Sequence, residues 1–115
     1  MNKVLHEVIS ESKVVCKTKF DINYFKYKKF IDCTFNDCLF DGTNFAGASL
    51  LMCKFNNCTF NRCNFSNAVL RQSDFTTSIF KDCIHWHSAH LEFAQFNQDF
   101  KNELISAVFK KVIFE

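Results

Sequence analysis

The sequence has no proline and only two glycines in 115 residues. A sandwich or hairpin meander reverses direction at every loop and draws on those residues, so this chain is a poor candidate for either. It has no run of about 18 apolar residues, so no membrane-spanning helix is expected. The opening stretch, MNKVLHEVISESK, lacks a long apolar core and carries Glu7 and Glu11. It does not read as a signal peptide, and a cytoplasmic protein is expected. There is no glycine-rich phosphate loop, no nucleophile motif and no paired-carboxylate arrangement. The expectation is a non-enzymatic protein with no cofactor. Charge of one sign is also scarce: residues 30–84 hold four Lys/Arg and five Asp, residues 85–115 three Lys and four acids, and only residues 1–29, with seven Lys and three acids, are basic. Seven scattered lysines read as a solvated surface, so direct nucleic-acid binding is not expected.

What the chain does have is phenylalanine, 16 residues of it, within a composition that is 48% hydrophobic. It can therefore bury a core, and its length suits one domain. The phenylalanines are periodic. Phe30, Phe35, Phe40, Phe45, Leu50, Phe55, Phe60, Phe65, Leu70, Phe75 and Phe80 recur every five residues, and Phe20 and Phe25 lie on the same grid. Two places before each from Phe35 on stands a small residue: Cys33, Cys38, Thr43, Ala48, Cys53, Cys58, Cys63, Ala68, Ser73 and Ser78, followed by Cys83. A period of five fits neither a helix at about 3.6 nor a strand at 2. It fits a coil that turns a corner every five residues, with the large and small residues inward. The remaining positions are polar and face out. Gly42 and Gly47 both fall two after a large residue, which marks that position as a corner needing positive φ.

Segments such as Thr43-Asn44-Phe45-Ala46-Gly47 and Cys63-Asn64-Phe65-Ser66-Asn67 resemble the repeat of the pentapeptide-repeat family. The resemblance covers roughly residues 28–96. It implies an all-β solenoid, a right-handed quadrilateral β-helix with four repeats per coil and about four coils. Residues 20 apart should then stack. Leu50 with Leu70, Ala48 with Ala68, Cys33 with Cys53 and Ser73, and Cys63 with Cys83 agree. Asn36 over Asn56 and Asn44 over Asn64 suggest outer side-chain ladders. The register slips by one after Phe80. Ala89 with Leu91 and Ala94 with Phe96 resume it, Trp86 suits the new register, and one residue is inserted near Cys83–His85.

Coil ends need covers. Residues 1–27 are expected to cap one end and residues 97–115 the other. The spacing of Phe100, Leu104, Ile105, Val108, Phe109, Val112 and Ile113 predicts one apolar face of a C-terminal α-helix, started by Asn97 or Asp99. A resumed coil is the rival reading, since Leu104, Phe109 and Phe114 are also five apart. The family resemblance implies end-to-end dimers through the C-terminal segment, and a homodimer using Phe100, Leu104, Val108, Phe109 and Val112 is expected.

Seven cysteines raise a zinc or disulfide reading. Six of them sit in the small inward slot at spacings unlike a zinc site, so they read as small buried hydrophobes, and disulfides are not expected. His85 and His87 alternate along the chain and are the candidate metal ligands. They lack a fourth ligand at a suitable spacing, and no native metal site is expected. The functional reading is a protein-binding or scaffold protein with an unidentified protein partner. Exposed apolar residues Ile31, Leu51, Met52 and Val69 on one side, and Leu39 and Ile79 on another, are its candidate surface. The alternative comes from the family resemblance: a DNA mimic that binds DNA gyrase or topoisomerase IV, of the quinolone-resistance or toxin-immunity type. A nearly neutral coil does not favour it, because duplex DNA carries about one charge per 1.7 Å.

Overall fold

The computed structural model describes residues 8–10, 13–15 and 20–100, the first two segments by backbone alone. Helix or coil over 101–115, and the interface residues Leu104, Val108, Phe109 and Val112, lie outside the described residues.

The strands are short because each side of the coil is short. They are β1 (Val8–Ser10), β2 (Lys13–Val15), β3 (Lys29–Ile31), β4 (Thr34–Asn36), β5 (Leu39–Asp41), β6 (Ser49–Leu51), β7 (Lys54–Asn56), β8 (Thr59–Asn61), β9 (Asp74–Phe75), β10 (Ile79–Lys81) and β11 (Gln95–Phe96). From β3 on, the middle or final residue is the large one, and it alone is buried. Every pairing is parallel. The strands stack into three sheets, ordered β1-β3-β6, β10-β8-β5 and β11-β9-β7-β4-β2. A fourth side is built from single bridging pairs, Asn44 with Asn64 and Asn64 with Ile84. The chain is thus an all-β solenoid that makes about three turns between β3 and β11, where about four coils were expected. The expected C-terminal helix is represented among the described residues by one short turn at 98–100. Its first N–H groups need an acceptor, and Asn97 Oδ1 supplies one to Phe100 N–H at 3.0 Å. The same amide donates to the Ser78 carbonyl at 2.8 Å, so it also closes the last rung beside β10.

Through the body of the coil, paired residues stand four full repeats apart, as in Lys29 with Ser49 and Ile79 with Thr59. Both ends add one residue to that turn, Val8 pairing with Lys29 and Gln95 with Asp74. At the C-terminal end the change falls between the pairs Asn64–Ile84 and Val69–His90. His85 takes φ +65° there and a 3-10 turn follows over Trp86–Ser88. At the N-terminal end, Asn44 N–H bonds the Ile22 carbonyl whereas Tyr27 N–H bonds the Ala46 carbonyl, which makes Tyr24 the extra residue. Both insertions occur on the side without regular strands. There, Asn44 and Asn64 hold their turns by accepting from Ala46 and Ser66 N–H at 3.0 and 2.9 Å. Their Oδ1 atoms are thereby committed to the backbone, whereas Asn36 and Asn56 bond directly at 2.9 Å. Ile84 has no such acceptor, and the chain bulges immediately after it.

The interior is aromatic. Phe35–Phe55–Phe75–Phe96 stack at 4.7, 4.8 and 5.3 Å with planes within 13° of parallel. Phe40–Phe60–Phe80–Phe100 stack at 4.9, 4.6 and 4.5 Å. Phe25, Phe45, Phe65 and Trp86 form a third column. The fourth combines Phe30 with Leu50, Leu70 and Leu91, all buried. Neighbouring columns meet edge to face, as in Phe40 against Phe45. Both geometries suit the ring quadrupole and add about 1 kcal/mol per pair beyond area burial.

Corners turn through positive φ. Among the described residues eleven non-glycine residues adopt it, and all but His85 stand two after a large residue. Asp and Asn tolerate this region, whereas Tyr27, Met52, Arg62, Gln72 and Phe93 are held there against a preference of about 1 kcal/mol each. Gly42 has open space where a Cβ would stand, but a Cβ on Gly47 would lie 2.4 Å from the Tyr27 ring. Gly42→Ala should therefore cost about 1 kcal/mol for φ alone. Gly47→Ala should cost about 1 kcal/mol more, and that excess should vanish in a Tyr27→Ala background, as read by a double-mutant cycle in urea.

Candidate functional site

Each corner leaves the carbonyl of its large residue to be satisfied. At Phe25, Phe45, Leu50, Phe65, Leu70, Phe75, Trp86 and Leu91 the N–H three residues on takes it. At Phe30, Phe35, Phe40, Phe55 and Phe60 that turn bond is not made. There a side chain from the next coil donates instead: Cys53, Cys58, Cys63 and Cys83 thiols at 3.3–3.5 Å and the Ser78 hydroxyl at 2.8 Å. Ser73 donates likewise to the Leu50 carbonyl. Ala48, Ala68, Ala89 and Ala94 lie above carbonyls already taken by turns. Except at Ser73, which donates to a Leu50 carbonyl that also closes a turn, the choice between alanine and a donor in the small slot follows the turn one coil below. Ser78 also accepts from Cys58 N–H at 3.2 Å. Ser78→Ala should cost about 2 kcal/mol because two buried groups lose partners, whereas Ala68→Ser should give no gain in midpoint denaturant concentration.

The small-slot residues Cys33, Cys38, Thr43, Ala48, Cys53, Cys58, Cys63, Ala68, Ser73, Ser78, Ala89 and Ala94 are buried, and Cys83 is half-buried. Free thiols are Cys33, Cys53, Cys58, Cys63 and Cys83. Cys38 is disulfide-bonded, which corrects the expectation of thiols throughout. Burial pushes the Cys53 thiol up to about 12 and the Cys58 thiol up to about 11. An acid whose folded pKa is raised stabilises the fold fully below its unfolded pKa and loses that contribution as pH rises. Stability should hold up to about pH 9 and fall above it, and the Cys53→Ser, Cys58→Ser double variant should fall less steeply in pH-dependent denaturation.

Outside, two apolar strips stand out. Leu39, Thr59 and Ile79 lie in register on one side, with Leu39 and Ile79 more than half exposed. A cavity of about 170 Å³ lined by Phe20, Ile22, Leu39, Asp41 and Thr43 lies at one end of this strip. A larger one, about 520 Å³, lies at the other, lined by Ile79, Phe80, Asn97, Asp99 and Phe100. On the opposite side half-buried Ile31 pairs with Leu51 and half-buried Val69 with Ser49, and exposed Met52 and Phe93 project from the corner. Opposite charges pair across coils: Arg62 with Asp41 at 2.5 Å and Arg71 with Glu92 at 3.0 Å. The His85 and His87 rings lie 5.8 Å apart. Among the described residues no three His, Cys, Asp or Glu side chains assemble into a metal-binding group, and no helix is long and apolar enough to cross a membrane. Periodicity alone did not single out Tyr24, Tyr27, Ile84 or Phe93, since their outward or inserted positions depend on where the register slips.

Residues 40–84 match the family model for pentapeptide repeats, as nine copies. The five-residue coil and this match agree: residues 40–84 are similar to pentapeptide repeats. No curated protein matches it. Among solved structures it is similar to full-length QnrB1, a plasmid-mediated fluoroquinolone resistance protein, with TM-score 0.57 and 21% identity over 79% of this chain and 47% of that one. A trypsin-treated variant of QnrB1 gives TM-score 0.48 at 20% identity, over 78% of this chain and 50% of that one. The chain spans about half the length of these structures, and the likeness to the full-length one is one of fold.

Proposed function

We propose that the protein is a non-enzymatic binding or structural protein acting through the outside of its coil. The supporting observation is the interior: stacked rings in mutual contact occupy it, so a partner meets only the four sides and the two ends. The strip of Leu39, Thr59 and Ile79, flanked by cavities, is the favoured protein-docking side. In this reading residues 28–96 form the regular, right-handed coil. The segments 1–27 and 97–115 cap it, with β1 and β2 opening a fourth turn. Phe100 and the segment beyond it join two chains end to end in a cytoplasmic homodimer.

The fold likeness to a fluoroquinolone resistance protein keeps the DNA-mimic reading as the second one. Charge weighs against it. A mimic must present dense negative charge, and Asp41 and Glu92 are paired with arginines. Purified protein at micromolar concentration should leave gyrase supercoiling and its quinolone sensitivity unchanged, while Leu39→Glu with Ile79→Glu should abolish retention of a cellular partner held by the wild type. Inhibition of supercoiling that survives this double substitution transfers the assignment to the mimic reading.

A further inference from the structure

Cys63 and Cys83 occupy the same inward column on adjacent turns, one residue before the bridging pair Asn64–Ile84. Their sulfurs bond equivalent atoms one turn apart, the carbonyls of Phe40 and Phe60, each at 3.3 Å. That places them about one strand spacing apart, ~4.8 Å, within the Cα window of roughly 4.4–6.8 Å that a disulfide needs. Cys33 and Cys53 stack in the same way, but both are buried. Among the five free thiols of the described residues, only Cys83 is part exposed. It sits between Asp82 and His85, both at positive φ, where the extra residue enters the coil.

We propose that Cys83 is a site of oxidation by hydrogen peroxide, and that Cys63 resolves it into a disulfide joining two adjacent turns. In the first step the Cys83 sulfur attacks the peroxide, the O–O bond breaks, and sulfenic acid and water form. In the second the Cys63 sulfur attacks the Cys83 sulfur, the S–O bond breaks, the S–S bond forms, and a second water leaves with the Cys63 proton. One peroxide is reduced to two waters, and two thiols are oxidised. A dithiol reductant reverses the change. The adjacent Cys63 thiol holds the Cys83 thiol below its ordinary range, and the same contact with burial raises Cys63, so attack begins at the exposed member. The buried thiols stay protected by the aromatic stack.

The test is hydrogen peroxide added to the full chain, followed by alkylation, digestion without reduction and mass spectrometry. A linked Cys63–Cys83 peptide, two hydrogens lighter, should be the first new product, formed at least about tenfold faster than any oxidised form of Cys53 or Cys58. In Cys63→Ser, dimedone should trap sulfenic acid at Cys83 with no new disulfide. In Cys83→Ser, Cys63 should stay reduced. Serine keeps the donor to the carbonyl below, as Ser73 and Ser78 show, and the wild-type map stands even if a variant fails to fold. Equal oxidation of Cys53, or Cys83 sulfenic acid that accumulates in the wild type without linking to Cys63, overturns the proposal.

Discussion

A parallel coil with a corner at every repeat has one recurring problem, the corner itself. The chain must bend through a left-handed backbone, and the bend leaves a carbonyl facing an interior packed with rings. A buried carbonyl without a partner costs about 1–3 kcal/mol, so a stack of such corners is stable only if each is answered. This chain answers them in two ways. A turn closes through the N–H three residues on, or a thiol or hydroxyl descends from the coil above. Both fit in the small slot, which is why that slot admits Ala, Ser, Thr and Cys and nothing larger between Cys33 and Cys83.

Given satisfied corners, the large residues decide how the coils sit on one another. Phenylalanine at three of four columns lets each ring lie flat on the ring one turn away, with centroids near the spacing of the strands themselves. Rings within one coil then meet edge to face. Flat stacking along the axis and tilted contact across it are the two arrangements the ring quadrupole favours. The Leu column is consistent with this economy: Phe30 opens it, and Leu50, Leu70 and Leu91 continue it as buried aliphatic side chains. Trp86 takes the place of a phenylalanine over Phe65 at 4.4 Å, and its greater width accompanies the extra residue at His85.

The five-residue grid made the solenoid legible because large and small registers repeated together. The stacking offset was legible from Leu50 and Leu70, and the C-terminal slip from Ala89, Leu91, Ala94 and Phe96. The matching slip at Tyr24 was not, because Asn23 and Lys28 disrupt the small register there while Phe25 keeps the large one; Phe25 is nonetheless fully buried against Phe45. The alternation of alanine with cysteine and serine was visible as pattern but not as cause. At every such position but Ser73 its cause lies one coil earlier in the chain, in whether a turn bond forms, and sequence does not display that bond. The disulfide at Cys38 was missed for a related reason, since cysteine in a repeat slot reads as filler. Surface residues were the least legible, because nothing inside the coil constrains them.

That last asymmetry bears on function. Inward residues answer to geometry common to any such coil, so they say what the protein is and little of what it does. Outward residues are free of the repeat, and departures from polarity among them carry the information. Leu39 and Ile79 are exposed in register on one side, where Arg62 neutralises Asp41 on the strand of Leu39, and Arg71 neutralises Glu92 elsewhere. A surface tuned to imitate a polyanion would have left those acids unpaired and its apolar residues few. This surface pairs Asp41 and Glu92 with arginines and leaves aliphatic groups in line between two cavities. Its chemistry suits a partner with an apolar stripe of its own, and the rigidity of the filled interior lets that partner meet a preformed face, so little ordering entropy opposes association.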